Sequence, residues 1–233
     1  MIIGLVGGMG SYATLDFFER YLNLFKADKE WDRPRIIIDN RCTMPSRVRA
    51  ILYNENWDII VDELTDSICR LVDAGGDKVI LACNTSHVFL KDVFAKEPRL
   101  YPYVLNIIKI CAEELMSKGV NEVSLIATEG TILSRIYQDT FVKYNIIVNV
   151  PTDETFSNLR YFIEAVKMNI YTDEMFNSFE NFLLEQPGKS LILGCTEFPV
   201  IYSKIKERAS LFSIQIIDPL ESTLQFLYRE FRQ

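Results

Sequence analysis

Histidine occurs once in these 233 residues, at His87. A metal or proton relay built from several imidazoles is therefore excluded, and any Cys–His pair has only one ring to use. The five cysteines (42, 69, 83, 111 and 195) are odd in number and never spaced C-x-x-C. Neither a disulfide framework nor a zinc ribbon is expected, and in a reducing compartment all five are free thiols. Cations are in the minority, 25 Lys and Arg against 32 Asp and Glu, for a net charge of −7. That balance argues against nucleic acid, whose phosphates need a basic surface. It leaves room for a small anionic ligand, which a few local cations can hold. No apolar run approaches the ~18–20 residues of a membrane span. The opening Met1-Ile2-Ile3-Gly4-Leu5-Val6 carries no basic segment and reaches glycine too early for a signal sequence. The expected location is the cytoplasm, with no membrane partner.

What the chain does have is a repeated alternation of short apolar, β-branched runs and amphipathic stretches. The expected strands are Ile2–Val6, Arg35–Asp39, Lys78–Ala82, Tyr103–Asn106, Glu122–Ala127, Ile146–Val150, Ser190–Leu193 and Ser213–Ile217. Between them the spacing is helical; over Trp57–Ala74 it puts Ile60, Val61, Leu64, Ile68, Leu71 and Val72 on one face. Continuous apolar strands separated by helices imply parallel sheets covered on both faces. The pattern runs twice, and the proline-bearing Glu97-Pro98-Arg99-Leu100-Tyr101-Pro102 segment reads as a crossing between units.

Two short segments concentrate the chemistry. Ala82-Cys83-Asn84-Thr85-Ser86-His87 and Gly194-Cys195-Thr196-Glu197-Phe198-Pro199 each follow an apolar strand and open a helix. Open α/β sheets hold their ligands at such carboxyl ends. A helix N-terminus just beyond would favour a thiolate, although a cysteine is equally at home as a small packed residue. Asn84, Thr85 and Thr196 offer donors for a carboxylate and for charge developing on it; the same residue types also cap helices. Glu197 either couples to Cys195 or serves as a first-turn acid, and His87 either lines the site or packs on its helix. Cys69 and Cys111 fall in helical segments and read as packing. Gly7-Gly8-Met9-Gly10-Ser11-Tyr12-Ala13 fits G-x-G-x-x-A, as an anion cradle or simply a tight turn. No Gly-Lys-Ser/Thr follows it, which excludes a P-loop there. Arg47 and Lys167 are candidate anion clamps among otherwise solvated cations.

Taken together these motifs resemble the aspartate/glutamate racemase superfamily, and its aspartate racemase branch most. The matching residues span nearly the whole chain: Gly-Gly-Met-Gly with Ala13-Thr14, Pro45-x-Arg47, Cys83-Asn84-Thr85-x-His87, Ala127-Thr128-x-Gly130-Thr131, Val166-Lys167, Gly194-Cys195-Thr196-Glu197 and Ile217-Asp218-Pro219. Ser11 stands where the family often has proline and Ser86 where alanine is usual. Glu197 occupies the place of a histidine in cell-wall glutamate racemases, whose Asp-Ser-Gly start is absent here.

The resemblance implies an α/β protein of two pseudo-symmetric three-layer αβα domains with mainly parallel sheets and the active site in the cleft between them. Residues 1–100 with 209–233 would form the first domain and 101–208 the second. It implies racemisation of aspartate, and perhaps glutamate, with no cofactor and no metal, by Cys83 and Cys195 acting as paired acid and base at Cα. Met9, Arg47, Asn84, Thr85, Thr128, Lys167 and Thr196 would contact substrate. Within that set, Arg47 and Lys167 would meet the side-chain carboxylate, and Asn84, Thr85 and Thr196 the α-carboxylate. Gly8, His87 and Glu197 would stand in support. A homodimer is the expected assembly, with a small amino acid as ligand. The superfamily also holds isomerases, hydantoin racemases and decarboxylases, and a non-catalytic acidic-amino-acid binding protein would keep the same cleft.

Overall fold

The computed structural model describes residues 1–232. Its elements are β1 (Ile2–Gly7), α1 (Ser11–Leu24), β2 (Arg35–Asn40), α2 (Arg47–Tyr53), α3 (Trp57–Asp73), β3 (Lys78–Leu81), α4 (Leu90–Lys96), α5 (Ile107–Ser117), β4 (Glu122–Ile126), α6 (Glu129–Leu133), α7 (Ile136–Phe141), β5 (Ile147–Asn149), α8 (Phe156–Lys167), α9 (Asp173–Leu184), β6 (Ser190–Leu193), α10 (Glu197–Ile205), β7 (Gln215–Ile217) and α11 (Pro219–Arg232). The strands form two wholly parallel sheets, ordered β2-β1-β3 and β5-β4-β6-β7. A parallel bridge from Val79 to Val104 extends the first sheet by one position. The two orders then correspond strand for strand. The fold is the α/β arrangement of parallel sheets expected from the alternating pattern.

Side-chain alternation decides which helix covers which face. On β1, Ile3 and Leu5 face α1 and share a core with its Phe17 and Tyr21, whereas Val6 joins Ile60, Leu64 and Ile68 of α3 on the opposite face. The apolar stripe of α3 is buried along its length, with Val72 only half-buried. In β3, Ile80 turns to one core and Val79 and Leu81 to the other.

The expected strand Tyr103–Asn106 shrinks to that single bridge. Asn106 is taken as the N-cap of α5, its side-chain oxygen accepting from the amides of Ile108 and Lys109 at 3.1 and 3.0 Å. A 3-10 turn at Pro98–Leu100 occupies the upstream side. Only Tyr103–Leu105 remains extended, held by Val79 N–H to Tyr103 O and Leu105 N–H to Val79 O. Strand β7, expected with the first unit, pairs instead with β6 in the second sheet, Ile192 against Ile217.

The helices that follow these two edge strands are exchanged. Helix α5, leaving the first sheet, packs on α7, and α11, leaving the second, packs on α1; α5 and α11 also pack on each other. One apolar core consequently runs from Ile3 and Leu5 through α5 and α11 to Leu125 and Ile192.

Candidate active site

Every loop that builds the cleft leaves the carboxyl end of a strand, where parallel sheets expose their polar ends. After β1 the chain turns through Gly8 at φ +78°. A Cβ there would lie 2.4 Å from the Arg41 carbonyl carbon and would also take up a left-handed conformation costly for other residues. The Gly8 amide donates to Thr14 Oγ1 at 3.0 Å. That amide is already engaged, and Gly8 marks a tight turn. Arg41 anchors the neighbouring turn after β2 through Asp39, Glu63 and Asp66 at 3.1, 2.8 and 2.6 Å.

A cleft of about 410 Å³, counting its open mouth, is bordered by Met9, Arg47, Cys83, Asn84, Thr85, Thr128, Lys167, Cys195, Thr196 and Glu197. Ten of the twelve residues singled out from the sequence therefore meet at one place. Gly8 and His87 are not on its walls. Ser46, Val48 and Ile163 are, and were not foreseen.

The two cysteines sit two residues beyond equivalent strands, β3 and β6, and each is 8% exposed. Cys195 donates to Glu197 Oε2 at 3.0 Å, and Thr196 Oγ1 reaches the same oxygen at 3.3 Å. Burial, together with the adjacent Glu197 carboxylate, pushes the Cys195 thiol well above its ordinary pKa. The thiolate expected from the helix N-terminus is thus not the resting form: desolvation and an anion in contact outweigh a partial charge at the end of α10. Glu197 is itself 3% exposed, and its Oε1 lies so close to Gly10 that a Cβ there would come within 2.5 Å. Glycine at position 10 is what lets the first half approach this carboxylate.

Asn84 is held from the second half: Tyr137, fully buried on α7, donates its hydroxyl to Asn84 Oδ1 at 2.6 Å. The Asn84 amide Nδ2 is buried without a partner. Thr85, Thr128 and Thr131 close a ring of hydroxyls across the halves at 2.8–3.1 Å. Thr128 also caps α6 through the Thr131 amide.

Arg47 binds backbone before any ligand. Its guanidinium donates to Pro45 O at 2.8 Å, Met44 O at 3.4 Å and Met9 O at 2.9 Å, tying the loops after β1 and β2 together. Its Nε remains buried and unpaired. Lys167, at the end of α8, pairs with Glu164 at 2.8 Å. Burial opposes the Lys167 charge, but the bond to Glu164 and the nearby Glu197 outweigh it and keep the amine above its usual range.

His87 faces away. Its Nδ1 lies 3.0 Å from Cys83 O and its Nε2 accepts from the Ile107 amide at 3.4 Å, which makes Nδ1 the protonated nitrogen. Burial drives its pKa down to about 4, against weaker support from backbone hydrogen bonds. A neutral ring stapling the cysteine loop to α5 is a structural part. Ser86 donates its hydroxyl to the Met9 thioether.

Comparison with known proteins gives the family. The model of the Asp/Glu/Hydantoin racemase family matches residues 6–227. The chain belongs to that family. An aspartate racemase from Picrophilus torridus superposes with a TM-score of 0.80 at 28% identity, over 99% of this chain and 94% of that one. The broad specificity amino-acid racemase RacX of Bacillus subtilis is 25% identical over 223 residues, 93% of this chain and 92% of that one. A glutamate racemase of Corynebacterium glutamicum is 29% identical over 176 residues, 73% of this chain and 59% of its own length. This family member therefore resembles both aspartate and glutamate racemases. No described helix is long and apolar enough to cross a membrane.

Proposed function

We propose that the chain is a cofactor-independent amino-acid racemase acting on aspartate, and on glutamate as a longer homologue, in the cytoplasm and as a homodimer. The observation that carries this reading is that Cys83 and Cys195, at matching positions of the two halves, border the same cleft. One sulfur takes the Cα proton from one face while the other delivers a proton to the opposite face; the reverse reaction exchanges the roles. Burial and Glu197 oppose the ionised form of Cys195.

The difficult step is making the carbanion, because Cα–H is a very weak acid. Donors on the α-carboxylate lower that barrier when their bonds strengthen as charge moves onto it. Asn84, Thr85 and Thr196 take that part. The unpaired Asn84 Nδ2 and Arg47 Nε are buried donors that an oxygen ligand would satisfy, and such donors seldom stay orphaned. Arg47 and Lys167 orient the side-chain carboxylate.

The test is Cα hydrogen exchange. L-Aspartate in D₂O should give D-aspartate deuterated at Cα without added cofactor, and Cys83→Ala or Cys195→Ala should abolish racemisation in a folded protein. Substantial turnover by either variant would remove the two-thiol scheme. Carbon dioxide release would favour a decarboxylase instead, and binding without exchange a sensor.

A further inference from the structure

Next to the cleft lies a second cavity of about 610 Å³, against about 410 Å³ for the cleft, both counted with their open mouths. The two are adjoining rooms. Ser46, Val48, Thr128, Ile163 and Lys167 border both. The far walls are Phe156 and Leu159, which α8 turns inward at 7% and 1% exposure.

The charges around this annex are already paired. Arg160 meets Glu129 at 2.7 Å, and Lys167 meets Glu164 at 2.8 Å. Among the described residues no unpaired cation or carboxylate is left at its rim to call for an ionic ligand, and its depth is hydrocarbon.

The two cations of the cleft hold partners of their own as well. A site built around a bare buried cation rejects an apolar analogue strongly, because the cation is left unpaired. Here Arg47 is bonded to the carbonyls of Met9, Met44 and Pro45, and Lys167 to Glu164, before anything binds. An apolar side chain passing them breaks none of these bonds, leaves Arg47 Nε as unbonded as it is without ligand, and gains burial in the annex.

We propose that the annex is a side-chain subsite of the same active centre, accepting unbranched or γ-branched apolar side chains of methionine or leucine size. The substrate class then extends from acidic to long apolar amino acids. This inference rests on the racemase reading above.

The experiment is solvent-deuterium exchange at Cα for aspartate, alanine and methionine with the unaltered protein. Alanine has the same reacting centre but cannot reach the annex. Methionine should exceed alanine in kcat/KM by at least about tenfold, the low end of what matched apolar contacts give. Leu159→Phe, which fills the annex, should cut the methionine-to-alanine ratio by about the same factor. Aspartate exchange with methionine no better than alanine would overturn the subsite and leave the racemase standing. A Leu159→Phe variant that still exchanges aspartate with an unchanged methionine-to-alanine ratio would overturn it as well. No exchange with any of the three amino acids would overturn the racemase reading and this one with it.

Discussion

Replacing Tyr137 by phenylalanine removes one oxygen from the heart of the molecule and little else. The ring is fully buried and lies tilted against Phe141 at 5.5 Å between centroids, and both the burial and this contact survive the change. Apolar burial therefore nearly cancels between the two proteins. What does not cancel is Asn84 Oδ1, 2.6 Å from the lost hydroxyl. Asn84 is 2% exposed and its Nδ2 already has no partner, so the variant leaves both ends of a buried amide unbonded. Stranding one buried acceptor costs about 1–3 kcal/mol. The check is the urea unfolding midpoint at constant m, which should fall accordingly. In a double-mutant cycle with Asn84→Ala, Tyr137→Phe should lose most of its effect, for a coupling of about 1 kcal/mol or more. The same variant should lose about tenfold or more in kcat with little change in KM, because a loosened Asn84 no longer meets the developing charge in place. Burial also holds the Tyr137 hydroxyl far above its usual pKa. It stays a donor in alkaline solution, and the stabilisation should be flat from neutral to pH ~9. Additive mutations, or a stability loss below about 0.5 kcal/mol, would refute the assignment of Tyr137 as the support of Asn84.

His87 makes stability depend on acidity. Its folded pKa of about 4 lies below the 6.5 of an exposed ring, so the unfolded chain binds the proton first. The contribution is complete above pH 6.5 and drains away as pH falls towards about 4, amounting to roughly 3 kcal/mol at 1.36 kcal/mol per unit. Unfolding midpoints between pH 7 and 4.5 should show this slope, and His87→Leu should flatten it; equal slopes would refute the neutral buried ring. Glu197→Gln should bring Cys195 ionisation to lower pH, because the anion 3.0 Å from the sulfur is gone. Alkylation of the Cys195 peptide at pH 8 should accelerate at least about threefold, and an unchanged or slower rate would contradict the pairing.

Much of this was legible in sequence because the signals were local. Apolar runs gave β1, β2, β3, β4 and β6, and the two cysteine segments announced themselves by following such runs. What failed was what depends on partners distant in the chain. Tyr103–Asn106 has strand-like residues, but Asn106 is worth more as a cap. Ser213–Ile217 reads as a strand, yet nothing in it names β6 as its neighbour. His87 stands four residues after Cys83, a spacing that suggests a shared face; the 3-10 turn at Thr85–Phe89 and the amide of Ile107 take it the other way. Tyr137 is one of 11 tyrosines and lies 53 positions from Asn84, so only the fold reveals their bond. Val48 and Ile163 look like ordinary core residues, and their place on the wall between cleft and annex has no sequence mark.

The traded helices have a mechanical meaning. Each sheet is roofed by a segment that the other one launches, so neither half closes on itself. Any swing that parts the two must lift α5 from α7 or α11 from α1, and a break in the chain between them would not release two independent pieces. The two cysteine loops are consequently carried on halves that interlocked roofs hold together.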